Sequence, residues 1–485
     1  MTIAQTAAGK VRGAEIADGV LSWRGIPYAA PPVGELRLRT PQAAPPWRGV
    51  RDALTCGNRS LQPAPAGAPA GPLPPESEDC LYLNVSAPAG AAGRPVLLWV
   101  HGGGFEMGHG PDQAGDGAAF ALSHGLVVVT FNYRLGALGF LDVPFERPAG
   151  ALGLHDQIAA LRWTRENIAA FGGDPDRITV YGLSAGAKSV SHLLASPLTR
   201  GMIARAAECS GGDYVKDPAQ ARDVSGRFFR ALGAGPARIR SVPAADILAA
   251  QSALAVPPRS TWIWRPSVDG SALTSAPLAA IAAGAAAGVP LLLQTCARET
   301  ALYQLLGPDA GAQAPGVLAG YFGRARAERL LAGYAAAYPD LDPAERHGVT
   351  VMTDERYVVR TERLADAQAA HAPVWRSRYD GPYTGLEDDP GLARYAYQLR
   401  AAHGGDGAGI WRGGDGPAGP LHAAWGAFAT DGDPGWDRYE PGRRSAMIFG
   451  ADGPGLAGDP FGFARGAWAG LDWQPGTWWN VSGPG

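Results

Sequence analysis

With 485 residues, 68 of them glycine, and a formal net charge of −3, the chain is long enough to bury a large core and too weakly charged to hold nucleic acid or an anionic membrane through its overall field. Four cysteines in such a length exclude a disulfide framework. Residues 1–10 lack a charged-then-apolar signal pattern, and the Ala-rich stretch 276–289 is too short and too glycine-interrupted to cross a bilayer, so a soluble, cytoplasmic protein is expected.

Residues 1–55 read as short strands and turns, and 61–75, dominated by proline, alanine and glycine, as a surface loop. A strand pattern returns over 77–85. From residue 96 the rhythm is strand, loop, strand, helix, strand: 96–100 and 126–131 are apolar runs suited to a sheet covered on both faces. Leu154, Ile158, Leu161 and Ile168 recur at helical spacing, predicting a helix over 153–171. The β-branched run Ile178, Thr179, Val180 enters Gly182-Leu183-Ser184-Ala185-Gly186, and 185–195 can be helical. Strands are expected at 203–209, 290–294 and 374–379, and helices at 316–337, 359–370 and 421–429. The absence of any internal repeat reads as a single catalytic domain over 1–485, with cap segments at about 212–289 and 300–372.

Strand, glycine-flanked serine and helix together describe a sharp turn that exposes a hydroxyl. A serine hydroxyl is a weak nucleophile at neutral pH, so it needs an imidazole to take its proton and a carboxylate to orient that imidazole. It also needs backbone N–H donors where negative charge develops, and Gly102-Gly103-Gly104, directly after an apolar strand, can turn successive N–H groups toward one point. Of the nine histidines, His101 and His109 belong to that glycine-rich loop. His124, His155, His192, His347 and His371 fall in or beside expected helices or strand starts. Two candidates for the base remain: His403, in a Gly-rich loop after the strand 374–379, and His422, inside the expected final helix.

Six motifs occur in register: Arg24-Gly25-Ile26-Pro27-Tyr28-Ala29; Glu78-Asp79-Cys80-Leu81-Tyr82-Leu83-Asn84; His101-Gly102-Gly103-Gly104-Phe105; Asn132-Tyr133-Arg134 with Gly139-Phe140-Leu141; Phe171-Gly172-Gly173-Asp174-Pro175; and the serine turn. In this order they resemble the type-B carboxylesterases, the α/β-hydrolase family that includes the cholinesterases. The likeness is strong over 1–215, patchy to about 300 and weak beyond. It implies an α/β fold, the α/β-hydrolase fold, with a central, mostly parallel twisted sheet, helices on both faces and long cap insertions. It further implies Ser184 as nucleophile, Gly103, Gly104 and Ala185 as oxyanion donors, Glu299 as the acid and His403 as the base, with Ser210 supporting the acid. Two ion pairs, Arg24 with Glu78 and Arg134 with Asp156, follow from the same likeness.

The chain departs from the family at Leu183, where a glutamate is usual; that glutamate takes no proton in the reaction, so its loss should retune the site. The family's early disulfide has no partner for Cys80 near Ser60, and free thiols at Cys56 and Cys80 are expected. Hydrolysis of carboxylic esters is the activity implied, with no cofactor and no metal. The same site on an amide, lactone or carbamate, acyl transfer to another alcohol, and a non-catalytic binding role of the fold are the competing readings. Phe105, Trp262, Trp264, Tyr303 and Trp411 are aromatic candidates for a substrate pocket.

Overall fold

A computed structural model describes residues 2–63, 73–111, 117–144, 147–254, 263–306, 310–388 and 390–474. Most of the Pro-rich loop and Trp262 lie outside them. Among the described residues a thirteen-stranded sheet runs in the order Thr2–Gln5, Lys10–Ala17, Val20–Pro27, Tyr82–Pro88, Val127–Phe131, Arg94–Val100, Gly173–Leu183, Arg205–Cys209, Leu291–Cys296, Val374–Tyr379, Ser445–Gly450, Gly453–Gly458, with Val50–Asp52 added beside Lys10–Ala17. From Val127–Phe131 to Ser445–Gly450 every pairing is parallel.

The apolar strands serve two cores, because alternate side chains leave opposite faces of a strand. Val96, Leu98, Val100, Ile178 and Val180 enter one core, while Leu97, Trp99, Tyr181 and Leu183 enter the other. Helices cover both faces, as a parallel sheet requires. The chain passes from Arg94–Val100 to the neighbour on one side, then returns to Gly173–Leu183 on the other. Such a reversal of strand order opens a crevice at the strands' C-terminal ends. The triple-glycine loop and the serine turn flank it.

The sequence reading places most elements within a few residues. The helix expected at 153–171 is Leu152–Asn167 continued by a tighter turn, Ile168–Phe171. The region 316–337 departs from a continuous helix: Ala310–Phe322 and Arg324–Ala337 are separated by Gly323, whose φ of +81° breaks the helical run. The hairpin Ser445–Gly450 with Gly453–Gly458 carries no strong strand signal, since half of its second strand is glycine and most of it is exposed. No helix among the described residues is long and apolar enough to cross a membrane.

One expected ion pair is present and the other is replaced. Asp156, fully buried, takes Nη2 of Arg134 at 2.7 Å, Nε at 2.8 Å and the Arg134 backbone N–H at 3.0 Å. Glu78 is held by Arg37 instead of Arg24, through Nε at 2.6 Å and Nη2 at 2.5 Å. The reason is geometric: the remaining Arg37 nitrogen also reaches the carbonyls of Ile239, Arg240 and Val242, so one guanidinium satisfies a carboxylate and a connecting turn together. All four cysteines are thiols.

Removing one member of the Arg134–Asp156 pair leaves an uncompensated buried charge. Asp156→Ala is therefore expected to lower unfolding free energy by about 3–5 kcal/mol. A urea or thermal melt checks this, and a midpoint like that of a surface substitution would show that the pair does not anchor the sheet.

Candidate active site

Ser184 sits at φ 59°, ψ −118°, a backbone conformation that residues with a Cβ rarely adopt. Three contacts impose it. Its N–H donates to the Cys209 carbonyl at 2.9 Å, and its own carbonyl accepts the Lys188 N–H at 3.0 Å. The helix Ala185–Ala195 approaches the sheet so closely that a Cβ on Gly186 would lie 1.9 Å from the Val100 carbonyl oxygen. The glycines flanking the serine are thus fixed by backbone-to-backbone contact.

The triple-glycine loop abuts this turn. A Cβ on Gly102 would stand 2.8 Å from the Leu183 carbonyl and 3.2 Å from the Ser184 Cβ. Gly103, Gly104 and Phe105 follow with φ values of 102°, 65° and 64°, a left-handed run that favours glycine. Ala185 opens the helix after the serine, where backbone N–H groups lack intrahelical partners and anions are favoured.

Glu299 follows the strand Leu291–Cys296 and is fully buried. Its Oε2 lies 2.7 Å from His403 Nδ1, while Oε1 accepts the Ser210 hydroxyl at 2.6 Å and the Cys296 N–H at 2.8 Å. The His403 N–H also donates to the Glu299 carbonyl at 3.1 Å. Ser210 is itself held at a positive φ of 55° at the end of the strand beside the serine strand. The structure therefore brings Glu299, His403 and Ser210 into one hydrogen-bonded chain, at the same sheet edge as Ser184.

His422 has other partners: its ring bonds the Ile410 carbonyl at 2.7 Å and Ser123 Oγ at 2.8 Å, which ties its own helix to two others. His101 is buried and stacked on Tyr133 at 4.3 Å, and burial pushes it down to about 3. Phe105, Trp264 and Trp411 are fully buried packing residues, and Trp411 sits against Trp99 and Phe120 in the core. Among the described aromatic candidates, Tyr303 is the one beside the imidazole, 5.6 Å from His403 between ring centroids. Leu183 packs with Tyr181, Cys209 and Cys296, so an apolar side chain suits the position.

Three residues of this surrounding escaped the sequence reading. Asp406, three positions after His403, is fully buried and accepts from Cys209 Sγ at 2.6 Å and Gln294 Nε2 at 2.5 Å. Burial raises its carboxyl above the ordinary range against the hydrogen bond from Cys209. Tyr357 lies 4.9 Å from His403, and its hydroxyl is 2.9 Å from that of Tyr303. Lys188 is buried within the serine's own helix. Only Asp406 left a local signal, in the spacing His403-x-x-Asp406.

Comparison with known proteins agrees with this fold. The model of the carboxylesterase family matches residues 1–407. The chain belongs to the carboxylesterase family. It is accordingly a serine ester hydrolase of the α/β-hydrolase fold. Para-nitrobenzyl esterase of Bacillus subtilis (strain 168) is 38% identical over 388 residues, spanning 78% of each chain. Fumonisin B1 esterase of Sphingopyxis macrogoltabida is 34% identical over 502 residues, covering 94% of this chain and 88% of its own. Among solved structures, a PNB esterase superposes with a TM-score of 0.82 at 33% identity, covering 96% of this chain and 99% of its own. Carboxylesterase Est55 of Geobacillus stearothermophilus gives 0.81 at 36% identity, with 96% and 100% covered.

The closeness of Gly186 to Val100 generates a direct check. Gly186→Ala is expected to cost at least about 1–3 kcal/mol of stability, because backbone has to move to admit one methyl. A melt indistinguishable from the parent protein would contradict the packing of the turn.

Proposed function

We propose that the chain cleaves carboxylic esters through an acyl-enzyme on Ser184, with His403 as general base and acid and Glu299 as its orienting carboxylate. The 2.7 Å contact between Glu299 and His403 Nδ1, at the sheet edge that presents Ser184, carries this reading. When Nδ1–H is committed to the carboxylate, the neutral ring has its lone pair on Nε2. The Ser184 oxygen attacks the ester carbonyl carbon as its proton passes to Nε2. The N–H groups of Gly103, Gly104 and Ala185 receive the oxyanion. Collapse breaks the bond to the alkoxide, which leaves with the proton from Nε2, and a water molecule repeats the sequence to release the acid.

Glu299 stabilises the transient imidazolium, and Ser210 with the Cys296 N–H keeps its second oxygen in place. The chain is read as one catalytic domain, in keeping with a sheet that continues from residues 2–5 to 453–458. Its partners are small-molecule esters. Thiols at all four cysteines accord with a reducing, cytoplasmic setting.

Ser184→Ala is expected to reduce ester turnover by at least about 10³-fold and to abolish labelling by a fluorophosphonate. Undiminished turnover would overturn the assignment. Ser210→Ala removes one hydrogen bond to a charged acceptor, and a fall of roughly 10- to 100-fold in kcat is expected from steady-state kinetics.

A further inference from the structure

Lys188 has no exposed surface, one helical turn beyond Ser184. Its ammonium donates to the Ser210 carbonyl at 3.4 Å and lies 4.8 Å from the ring centroids of both Tyr214 and Tyr357. Tyr357 stands against the His403 ring, Ser210 holds Glu299, and the Lys188 N–H holds the Ser184 carbonyl. The lysine thus meets the Ser184 backbone directly and is one residue removed from His403 and from Glu299. Taking an ammonium out of water costs several kcal/mol, a cost that an apolar side chain of similar length avoids. Packing alone does not account for the charge.

We infer that Lys188 is a positioning residue of the esterase site, whose ammonium acts through Tyr357 and Ser210 to keep the His403–Glu299 pair in its unprotonated, basic state toward lower pH. The inference rests on the triad reading above. A nearby positive charge disfavours a second one on the imidazole and favours the ionised carboxylate.

The surrounding groups leave that effect in place. Burial pushes Lys188 down to about 7, against the attraction of Glu299 and Glu208, with Arg356 and Arg265 adding to the depression. The charge is therefore present below neutrality. Glu208, on the neighbouring strand, is raised to about 8 by burial, with Lys188 among the groups that pull it back down. His192, on the same helix, is pushed down to about 4 by burial and is neutral. Tyr214, Tyr303 and Tyr357 are raised by burial and stay uncharged. Arg356 and Arg265 are the neighbouring guanidinium groups, Glu355 and Asp213 are carboxylates that act on Tyr214, and Asp406 is a carboxyl on which Glu299 acts. A substitution at Lys188 leaves all of these in place.

Two variants separate charge from packing. Lys188→Met removes the charge and the donor, whereas Lys188→Gln removes the charge and retains a donor for the Ser210 carbonyl. The readout is the pH profile of kcat/KM with p-nitrophenyl butyrate, followed at the isosbestic wavelength of the product. In both variants the midpoint of the acid limb is expected to move up by about half to one pH unit, because the imidazolium forms more easily once the cation is gone. An unmoved limb in either variant that melts like the parent overturns the inference, even if kcat falls uniformly. Ser184→Ala is assayed alongside: turnover that survives there refutes the triad itself, whereas lost turnover with an unmoved limb refutes only the role of Lys188.

Discussion

The approach of Gly186 to the carbonyl of Val100 is the contact on which the rest of the site depends. A helix can come that close to a strand only where no Cβ intervenes, and the closeness leaves the connecting residue almost no room. Ser184 is forced to φ 59°. Cohesion of the two cores that clasp the sheet sustains this unfavourable conformation, and the parallel register carries the neighbouring strand ends to the same edge. Strain at one residue is balanced by burial spread over many.

Behind the turn lies a layer of buried polar groups uncommon in a hydrophobic core. Ser210, Glu299, His403, Asp406, Gln294 and Lys188 are all buried, and each makes a hydrogen bond within the group. In a low-dielectric interior such groups orient one another strongly, and a misplaced member is costly. The arrangement therefore fixes the imidazole's direction at the expense of tolerance to change.

What the sequence made legible follows the range of the interaction. The serine turn and the triple-glycine loop are local, so their residue types alone describe them, and the strand Val374–Tyr379 appears with the bounds expected for it. Glu299 and His403 were legible only through likeness to a family, since the contact between them spans 104 positions. Arg37 took the place of Arg24 at Glu78 because its fork also meets carbonyls some 200 positions away, a fact with no local trace. Lys188 escaped notice for a related reason. A lysine in a helix is ordinarily read as solvated, and nothing within the helix announces that every residue of Ala185–Ala195 is buried.

That complete burial also bears on how the enzyme loses its working form. Segments that carry function often open locally at little cost, but a helix enclosed on all sides exchanges its amide hydrogens only when much of the molecule comes apart. The serine is joined to the first turn of such a helix and to the carbonyl of the adjacent strand. Disassembly of the nucleophile is thereby tied to collapse of the whole, so the surviving fraction of folded molecules and the surviving fraction of active ones decline together.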